Sequence, residues 1–242
     1  MNMTQYEPVF FDLETTGLNP MAQAWWDSEP EARITAIGVG VMKGWREASD
    51  WDGVETQVEC FMDDSEYELL RYAPKRTWEM VKELHGEDVE PILVGYNSRQ
   101  FDHPYYGARA ARLRLDGTPF ASGWKRLDVQ RVAGRDNSIG KKYPKEDEYA
   151  ETLGIEVTDQ FTGADMPKAW EKGEKWKIEE HVTLDVEDLM KVFYARRELS
   201  MDTFFDHYGI NAEASYADSI GFREPTEAEE EMEDPFSELN HD

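Results

Sequence analysis

The stretch Pro8–Leu18 reads PVFFDLETTGL, and it decides both the fold class and the chemistry expected of this chain. Val9–Leu13 is a short apolar run that enters a turn at residues 15–17, which predicts a buried strand. Residues i and i+2 of a strand share a face, so Asp12 and Glu14 project together. Two carboxylates at the end of an apolar strand are costly to bury unless a cation compensates them, and hard oxygen ligands suit Mg²⁺ or Mn²⁺.

The composition limits the class of protein. The chain has 242 residues and a formal net charge of −26, and its 40% hydrophobic share excludes a wholly disordered acidic protein. Cys60 is the only cysteine, which excludes an intramolecular disulfide and a Cys-based zinc site. No apolar run reaches the length of a membrane span and the N-terminus lacks a secretory signal, so we expect a cytoplasmic protein with no membrane partner.

Further elements follow from apolar patterns and capping residues. Strands are predicted at residues 33–42, 57–62, 92–95 and 126–129, and the first two should form an antiparallel meander with the strand at 9–13. Helices are predicted from Ser65 to about Gly86, over 104–115 and over 178–200, with a polar loop at 133–149. Strands first, then mixed strands and helices, predict a single α/β domain over residues 1–222, followed by a disordered acidic tail over 223–242.

The octapeptide FDLETTGL at residues 11–18 resembles the first motif of the DEDD 3′–5′ exonucleases, which have a ribonuclease H-like fold. The resemblance implies a mixed sheet, an antiparallel meander plus parallel strands, flanked by helices. It also implies four metal-binding acids in three motifs. GYNSRQFDHP at residues 95–104 fits the second motif and assigns Asp102, although an aspartate there could instead be an ordinary helix N-cap.

The third motif fits HVTLDVEDL at residues 181–189, which nominates Asp185 as the last acid and His181 as the general base. These two side chains are four residues apart and therefore share a helix face. Histidine at this position departs from the pattern, because the branch of the superfamily with this spacing has a tyrosine there. Asp188 is an alternative to Asp185. FTGADMPK at residues 161–168 is similar to the proofreading exonucleases of family-B DNA polymerases and their stand-alone relatives, which belong to the tyrosine branch.

The resemblance implies a 3′–5′ exonuclease with two divalent ions, Mg²⁺ or Mn²⁺, acting on single-stranded DNA ends and releasing nucleoside 5′-monophosphates. Asp12, Glu14, Asp102 and Asp185 would bind the metals, and Thr15, Leu18, Asn97 and Phe101 would contact the terminal nucleotide. RNA is the nearest alternative substrate. A second alternative is a non-catalytic protein: a ribonuclease H-like module that binds nucleic acid or a replication partner without cleaving nucleic acid.

Phosphates away from the reacting centre also need donors, since the net charge by itself argues against a nucleic-acid partner. The candidate donors are Lys141, Lys142, Lys145, Arg109, Arg112, Lys125 and Arg126. Trp25 and Trp26 are candidates for stacking on bases, with core packing as the alternative. The acidic tail is a candidate contact for a replication or repair protein.

Overall fold

The computed structural model describes residues 5–17, 32–115, 119–136 and 139–209. Leu18, Trp25, Trp26 and the tail at 223–242 lie outside the described residues. Within the described part of the chain, no helix is both long enough and apolar enough to cross a membrane.

A five-stranded mixed sheet forms the centre of the fold. Its strands are β1 (Gln5–Thr15), β2 (Ile34–Lys43), β3 (Glu55–Met62), β4 (Val89–Gly95) and β5 (Lys125–Asp128). The order is β3-β2-β1-β4-β5, in which β1 to β3 pair antiparallel and β1, β4 and β5 pair parallel. The predicted mixed sheet with an antiparallel meander is therefore confirmed, and β1 is its central strand.

Seven α-helices are present in the described residues. They are α1 (Glu66–His85), α2 (Asp102–Arg112), α3 (Val129–Arg135), α4 (Glu146–Thr152), α5 (Met166–Glu171), α6 (Lys175–Ala195) and α7 (Arg197–Tyr208). The single helix predicted over 178–200 is in fact two helices, because Arg196 has the non-helical angles φ −126° and ψ 29°.

The loop predicted over 133–149 was also wrong at both ends, where α3 and α4 lie. Helices of only two turns are too short to show a clear apolar periodicity in sequence. The side chain of Asp128 caps α3 by accepting from the Gln130 N–H, and three successive acids in the first turn of α4 suit the positive end of the helix dipole.

The helices cover the sheet on both faces. Alternation along β1 directs Val9 and Phe11 toward α1 and α2, and Phe10 toward α6. Asp12 and Glu14 follow the register of Phe10, so they too face α6, as the strand periodicity predicts.

Glycines in β2 let α6 approach the sheet closely. Gly38 pairs with Asp12, and a Cβ atom at Gly38 would lie 2.4 Å from Cγ1 of Val182 and 2.8 Å from Cγ2 of Val186. Only a residue without a side chain fits such a contact. The close packing at Gly38 therefore places the carboxyl end of β1 directly beside the middle of α6.

Three of the predicted phosphate donors form ion pairs with acids of this chain. Arg109 donates to both carboxylate oxygens of Glu66, and this pair is buried between α1 and α2. The Lys125 ammonium lies 2.8 Å from a carboxylate oxygen of Glu90. Lys141 is paired with Glu148 at 2.5 Å. The buried pair in particular belongs to the core and offers nothing to a substrate.

Candidate active site

The end of β1 carries the first two predicted acids into a space between the sheet and α6. The pairing of β1 with β2 shifts register between Glu14 and Thr15, as at a β-bulge, and such irregularities redirect side chains at the ends of strands. Both Asp12 and Glu14 lie against charged residues of α6 rather than in solvent.

Asp12 lies among four other carboxylates. Its Oδ2 atom is buried without a hydrogen-bond partner among the described residues. Burial raises the pKa of the Asp12 carboxyl well above its usual range, and the charges of Asp102, Asp185, Glu14 and Glu146 raise it further. A buried carboxylate oxygen with no donor, surrounded by like charges, is the environment of a cation ligand.

Asp102 is the first residue of α2, and the structure argues against the N-cap alternative. The N-cap position is Phe101, and no side chain there caps the helix. The Asp102 side chain is buried instead, and burial together with the charge of Glu14 raises its pKa well above the usual range. The predicted second motif therefore meets the first at the end of the sheet.

His181 lies between three carboxylates. Its Nε2 atom is 3.1 Å from Oε1 of Glu14 and 3.5 Å from Oδ2 of Asp185, and its Nδ1 atom forms a short hydrogen bond with Asp159. Burial lowers the pKa of His181, but the hydrogen bond to Glu14 and the charge of Asp185 outweigh it and raise the pKa to about 9. Burial raises the pKa of Asp185 to about 7, against the opposing charge of His181.

The same residues define a possible ion site. Asp159, His181 and Asp185 each offer one ligand atom, and these atoms all lie within 4.8 Å of one another. Asp188, the alternative to Asp185, is buried and directed to Lys191, whose Nζ lies 2.8 Å away. Of the two acids, Asp185 is the one that contacts His181.

Two residues of the cluster were missed by sequence reasoning, Asp159 and Glu146. Asp159 lies in an irregular segment, 22 residues before its partner His181. Glu146 opens α4, its Oε1 atom is buried without a hydrogen-bond partner in the described residues, and burial with the charges of Asp185 and Asp188 raises its pKa well above the usual range. In a chain with 52 acids, neither position differs in sequence from a surface acid.

A cavity of about 300 Å³ opens beside the acids. Asp12, Glu14 and Asp102 line it together with three of the predicted substrate contacts, Thr15, Asn97 and Phe101. Asn97 has a φ of +54°, a conformation that asparagine tolerates better than most residues. Gly163 also lines the cavity and lies next to Glu14, since a Cβ at Gly163 would be 3.4 Å from Oε1 of Glu14. The first two motifs thus meet at this cavity, and the charge of Asp185 from the third motif acts on Asp12.

Comparison with known proteins gives relatives of two kinds. The chain is 32% identical over 190 residues to an uncharacterized protein of Methanocaldococcus jannaschii, an alignment that covers 75% of this chain and 90% of that protein. It is 33% identical over 132 residues to a DNA polymerase of Archaeoglobus fulgidus, covering 48% of this chain and 16% of the polymerase. No protein-family model matches the chain.

Solved structures share the fold. The family B DNA polymerase of Pyrobaculum calidifontis superposes with a TM-score of 0.54 at 19% identity, covering 88% of this chain and 28% of the polymerase. Exonuclease I superposes with a TM-score of 0.50 at 14% identity, covering 84% of this chain and 44% of that one. The resemblance to ribonuclease H-like exonucleases is confirmed at the level of the fold, and the chain spans less than half of either solved protein.

Proposed function

This chain belongs to the same family as the uncharacterized Methanocaldococcus jannaschii protein, and we propose, from its fold and its carboxylate cluster, that it is a metal-dependent 3′–5′ exonuclease. It would hydrolyse single-stranded DNA ends and release nucleoside 5′-monophosphates. The observation that carries the proposal is the buried, unpartnered Oδ2 atom of Asp12 at the meeting point of three motifs.

The donor set fits two divalent ions. Asp12, Glu14, Asp102 and Asp185 would hold them, since these residues supply hard oxygen ligands that suit Mg²⁺ or Mn²⁺, and burial raises the pKa of each of these carboxyls, which a cation would offset. Bound divalent ions supply positive charge for a phosphodiester and make a water molecule more acidic. The fifth acid, Glu146, would add to the negative charge that attracts them.

His181 would accept the proton of the attacking water. Its Nε2 atom is directed to the metal-binding carboxylates, and its Nδ1–H is held by Asp159. A carboxylate on the far nitrogen fixes the orientation of the ring, which makes Asp159 a positioning residue. The hydrogen bond to Glu14 and the charge of Asp185 raise the pKa of His181, and cations held by those carboxylates would lower it toward the range of a general base.

The walls of the cavity would bind the terminal nucleotide. Thr15, Asn97 and Phe101 line the space beside the acids, and the Phe101 ring offers a face for stacking on a base. Leu18 remains a prediction outside the described residues. DNA is favoured over RNA because the chain is 33% identical over 132 residues to a DNA polymerase.

The proposal is tested with oligonucleotides labelled at either end. In Mg²⁺ or Mn²⁺, we expect a 5′-labelled strand to shorten progressively and a 3′-labelled strand to release a labelled mononucleotide at once. Asp12→Asn should abolish both the shortening and the mononucleotide release. Asp88→Asn makes the same change of charge at an exposed acid, and this variant should cleave normally. If the Asp12→Asn variant still shortens the strand, the proposed metal-dependent mechanism is wrong.

The same assay decides between the alternatives. A matched RNA strand that is degraded faster than DNA would make the protein an exoribonuclease. Binding without any shortening, in both metals, would instead identify the non-catalytic module.

A further inference from the structure

A second cavity lies outside the acidic site, at the edge of the sheet formed by β5. Its volume is about 580 Å³, and its walls include Arg99, His103, Trp124, Arg126, His207 and Tyr208. These residues come from the turn before α2, from α2 itself, from β5 and the residue before it, and from the end of α7. No acidic residue is among those that line the cavity in the described part of the chain, although acids outnumber bases two to one overall.

The end of α7 is fastened to the edge strand and closes one side of this basic pocket. The Arg126 N–H donates to the hydroxyl of Tyr208 at 2.8 Å, and the same hydroxyl donates to the Arg126 carbonyl at 3.3 Å. An edge strand presents unpaired N–H and C=O groups, and here one phenol bonds both. His207 is thereby held beside Arg126, so the pocket is built by tertiary contacts.

Two guanidinium groups face this pocket at close range. Arg99 is exposed, and Arg126 is half-buried with Nη2 donating to the Phe120 carbonyl at 3.1 Å. Burial lowers the pKa of Arg126, and the positive charge of Arg99 lowers it further. Like charges held together repel each other, and an anion between them would relieve that repulsion.

His103 points independently to a ligand. It is 2% exposed, it lines the pocket, and neither of its ring nitrogens has a hydrogen-bond partner among the described residues. A neutral imidazole has one N–H donor, and leaving it unbonded in the interior is unfavourable. An oxygen-rich anion in the pocket would accept from it.

A single turn separates the basic pocket from the acidic cavity. Asn97 and Phe101 line the acidic cavity, and Arg99 lies between them in sequence and lines the basic pocket. Asp128 holds this turn by accepting from the Asn97 N–H at 2.9 Å and the Arg99 N–H at 3.2 Å. Four residues span at most about 14 Å, so the two sites lie within the reach of a few nucleotides.

We propose that the basic pocket binds a backbone phosphate of the single strand whose 3′ end lies in the acidic cavity. The pocket's preference for a phosphate follows from its own residues, and only the identity of the strand rests on the proposed function. The pocket would supply the positive charge that the acidic body of the protein lacks. It would also hold the strand after each terminal nucleotide is removed.

The test measures the affinity of fluorescently labelled thymidine oligonucleotides of about two, four and eight nucleotides in EDTA, where nothing is cleaved. Wild-type affinity should rise with length once the strand reaches the pocket. Arg99→Glu should lower the affinity for the longest strand about tenfold or more, since a hydrogen bond between charged groups is lost. The slope of log affinity against log salt should become shallower by about 0.7 for each phosphate contact removed.

Lys75→Glu is the matched control, because Lys75 is an exposed cation on α1, which packs on β2 and β3 at the other end of the sheet from β5. It makes the same change in net charge and should leave the length dependence intact. Arg126→Met, which retains the apolar stem of the side chain, is a second variant and should repeat the effect of Arg99→Glu.

Three outcomes would overturn the assignment. Equal losses in Arg99→Glu and Lys75→Glu would show a general charge effect and no site. An affinity that is unchanged in both pocket variants would exclude a strand contact. Inorganic phosphate or thymidine monophosphate that binds in an Arg99-dependent way, while strand affinity stays unchanged, would make this a site for a free anion. The binding assay contains no metal, so it is independent of hydrolysis. If binding depends on Arg99 but the protein does not hydrolyse the strand in a separate assay with Mg²⁺, the proposed function is refuted and the phosphate-binding pocket is still supported.

Discussion

Asp12 and His181 show what a single residue contributes to this protein. The sequence pattern places Asp12 and Glu14 on one face of a strand, and the structure confirms that face. The pattern cannot show that His181 would touch Glu14, Asp185 and Asp159 together. Helical spacing relates Asp185 to His181, but no local rule relates this pair to Glu14 on a strand or to Asp159 in an irregular segment.

The orientation of His181 leads to the first prediction. His181→Ala should lower the rate of hydrolysis by about 10²–10⁴-fold, the range for loss of a general base, while Mn²⁺ binding is retained. Asp159→Asn should lower it by about 10–100-fold, as for partners that orient a catalytic group. Steady-state rates and Mn²⁺ titration by calorimetry measure both.

The pH profile of activity distinguishes a positioning role of Asp159 from a purely structural one. Asp159 raises the pKa of His181, so removal of its charge should shift the rising limb of the activity profile of Asp159→Asn to lower pH. Asp88→Asn removes the same charge from an exposed acid outside the cluster and should leave the limb in place. An unshifted limb in Asp159→Asn would leave Asp159 with no role in tuning His181.

The packing of α6 on β2 determines the site at the level of the secondary-structure elements. Gly38 lies opposite Asp12 in the sheet and under Val182 and Val186 of α6. His181 and Asp185 each directly precede one of those two valines in sequence, so the contact that holds α6 against β2 also sets the position of His181 and Asp185.

Gly38→Ala is therefore expected to damage both stability and activity. The new methyl group would lie 2.4 Å from Cγ1 of Val182 and 3.1 Å from its backbone carbonyl oxygen. Overpacking of this kind costs about 1–3 kcal/mol, and α6 would have to move away from the acids. Urea denaturation and the rate of hydrolysis measure the two effects.

Gly107→Ala is the matched control. Gly107 lies within α2 and an added Cβ would meet nothing within 4 Å, so the substitution should stabilise the protein by about 0.5–1 kcal/mol with no loss of activity. If Gly38→Ala were as stable and as active as Gly107→Ala, close packing of α6 would not position the site.

Across the whole molecule, the carboxylate cluster couples stability to pH and to metal. Burial and neighbouring charges raise the pKa of Asp185 to about 7 from a usual value near 3.8, and raise those of Asp12, Asp102 and Glu146 as well. The folded state therefore binds more protons than the unfolded state at mildly acidic pH, so the free energy of unfolding falls as pH rises through about 4 to 7.

His181 acts in the same direction at higher pH. Its folded-state pKa of about 9 exceeds the usual 6.5, so its stabilising contribution is complete below pH 6.5 and is lost as pH rises through 9. In EDTA, the melting temperature should fall between about pH 5 and pH 8. The fall should be about 2–4 °C for each kcal/mol lost from the free energy of unfolding. Mg²⁺ or Mn²⁺ should raise it more at pH 8 than at pH 5, because the ionised carboxylates bind the cation.

Asp12→Asn should flatten this pH dependence and remove most of the metal effect, since a member of the cluster no longer ionises. Asp88→Asn should behave as wild type. Differential scanning fluorimetry at several pH values makes the comparison. A melting temperature that is independent of both pH and metal would show that the cluster is not a cation site.

Patterns in the sequence predict the strands of the sheet, the shared face of Asp12 and Glu14, and the order of the three motifs. These features depend on local periodicity and on neighbours in the chain, which a sequence displays directly. Only the tertiary structure decided that Asp159 and Glu146 join the cluster, that Arg109 belongs to the core, and that Arg99 and Arg126 share a pocket. Charged residues are distinguished by burial and by partners distant in the chain, and in a protein so rich in acids neither property is visible before the chain is folded.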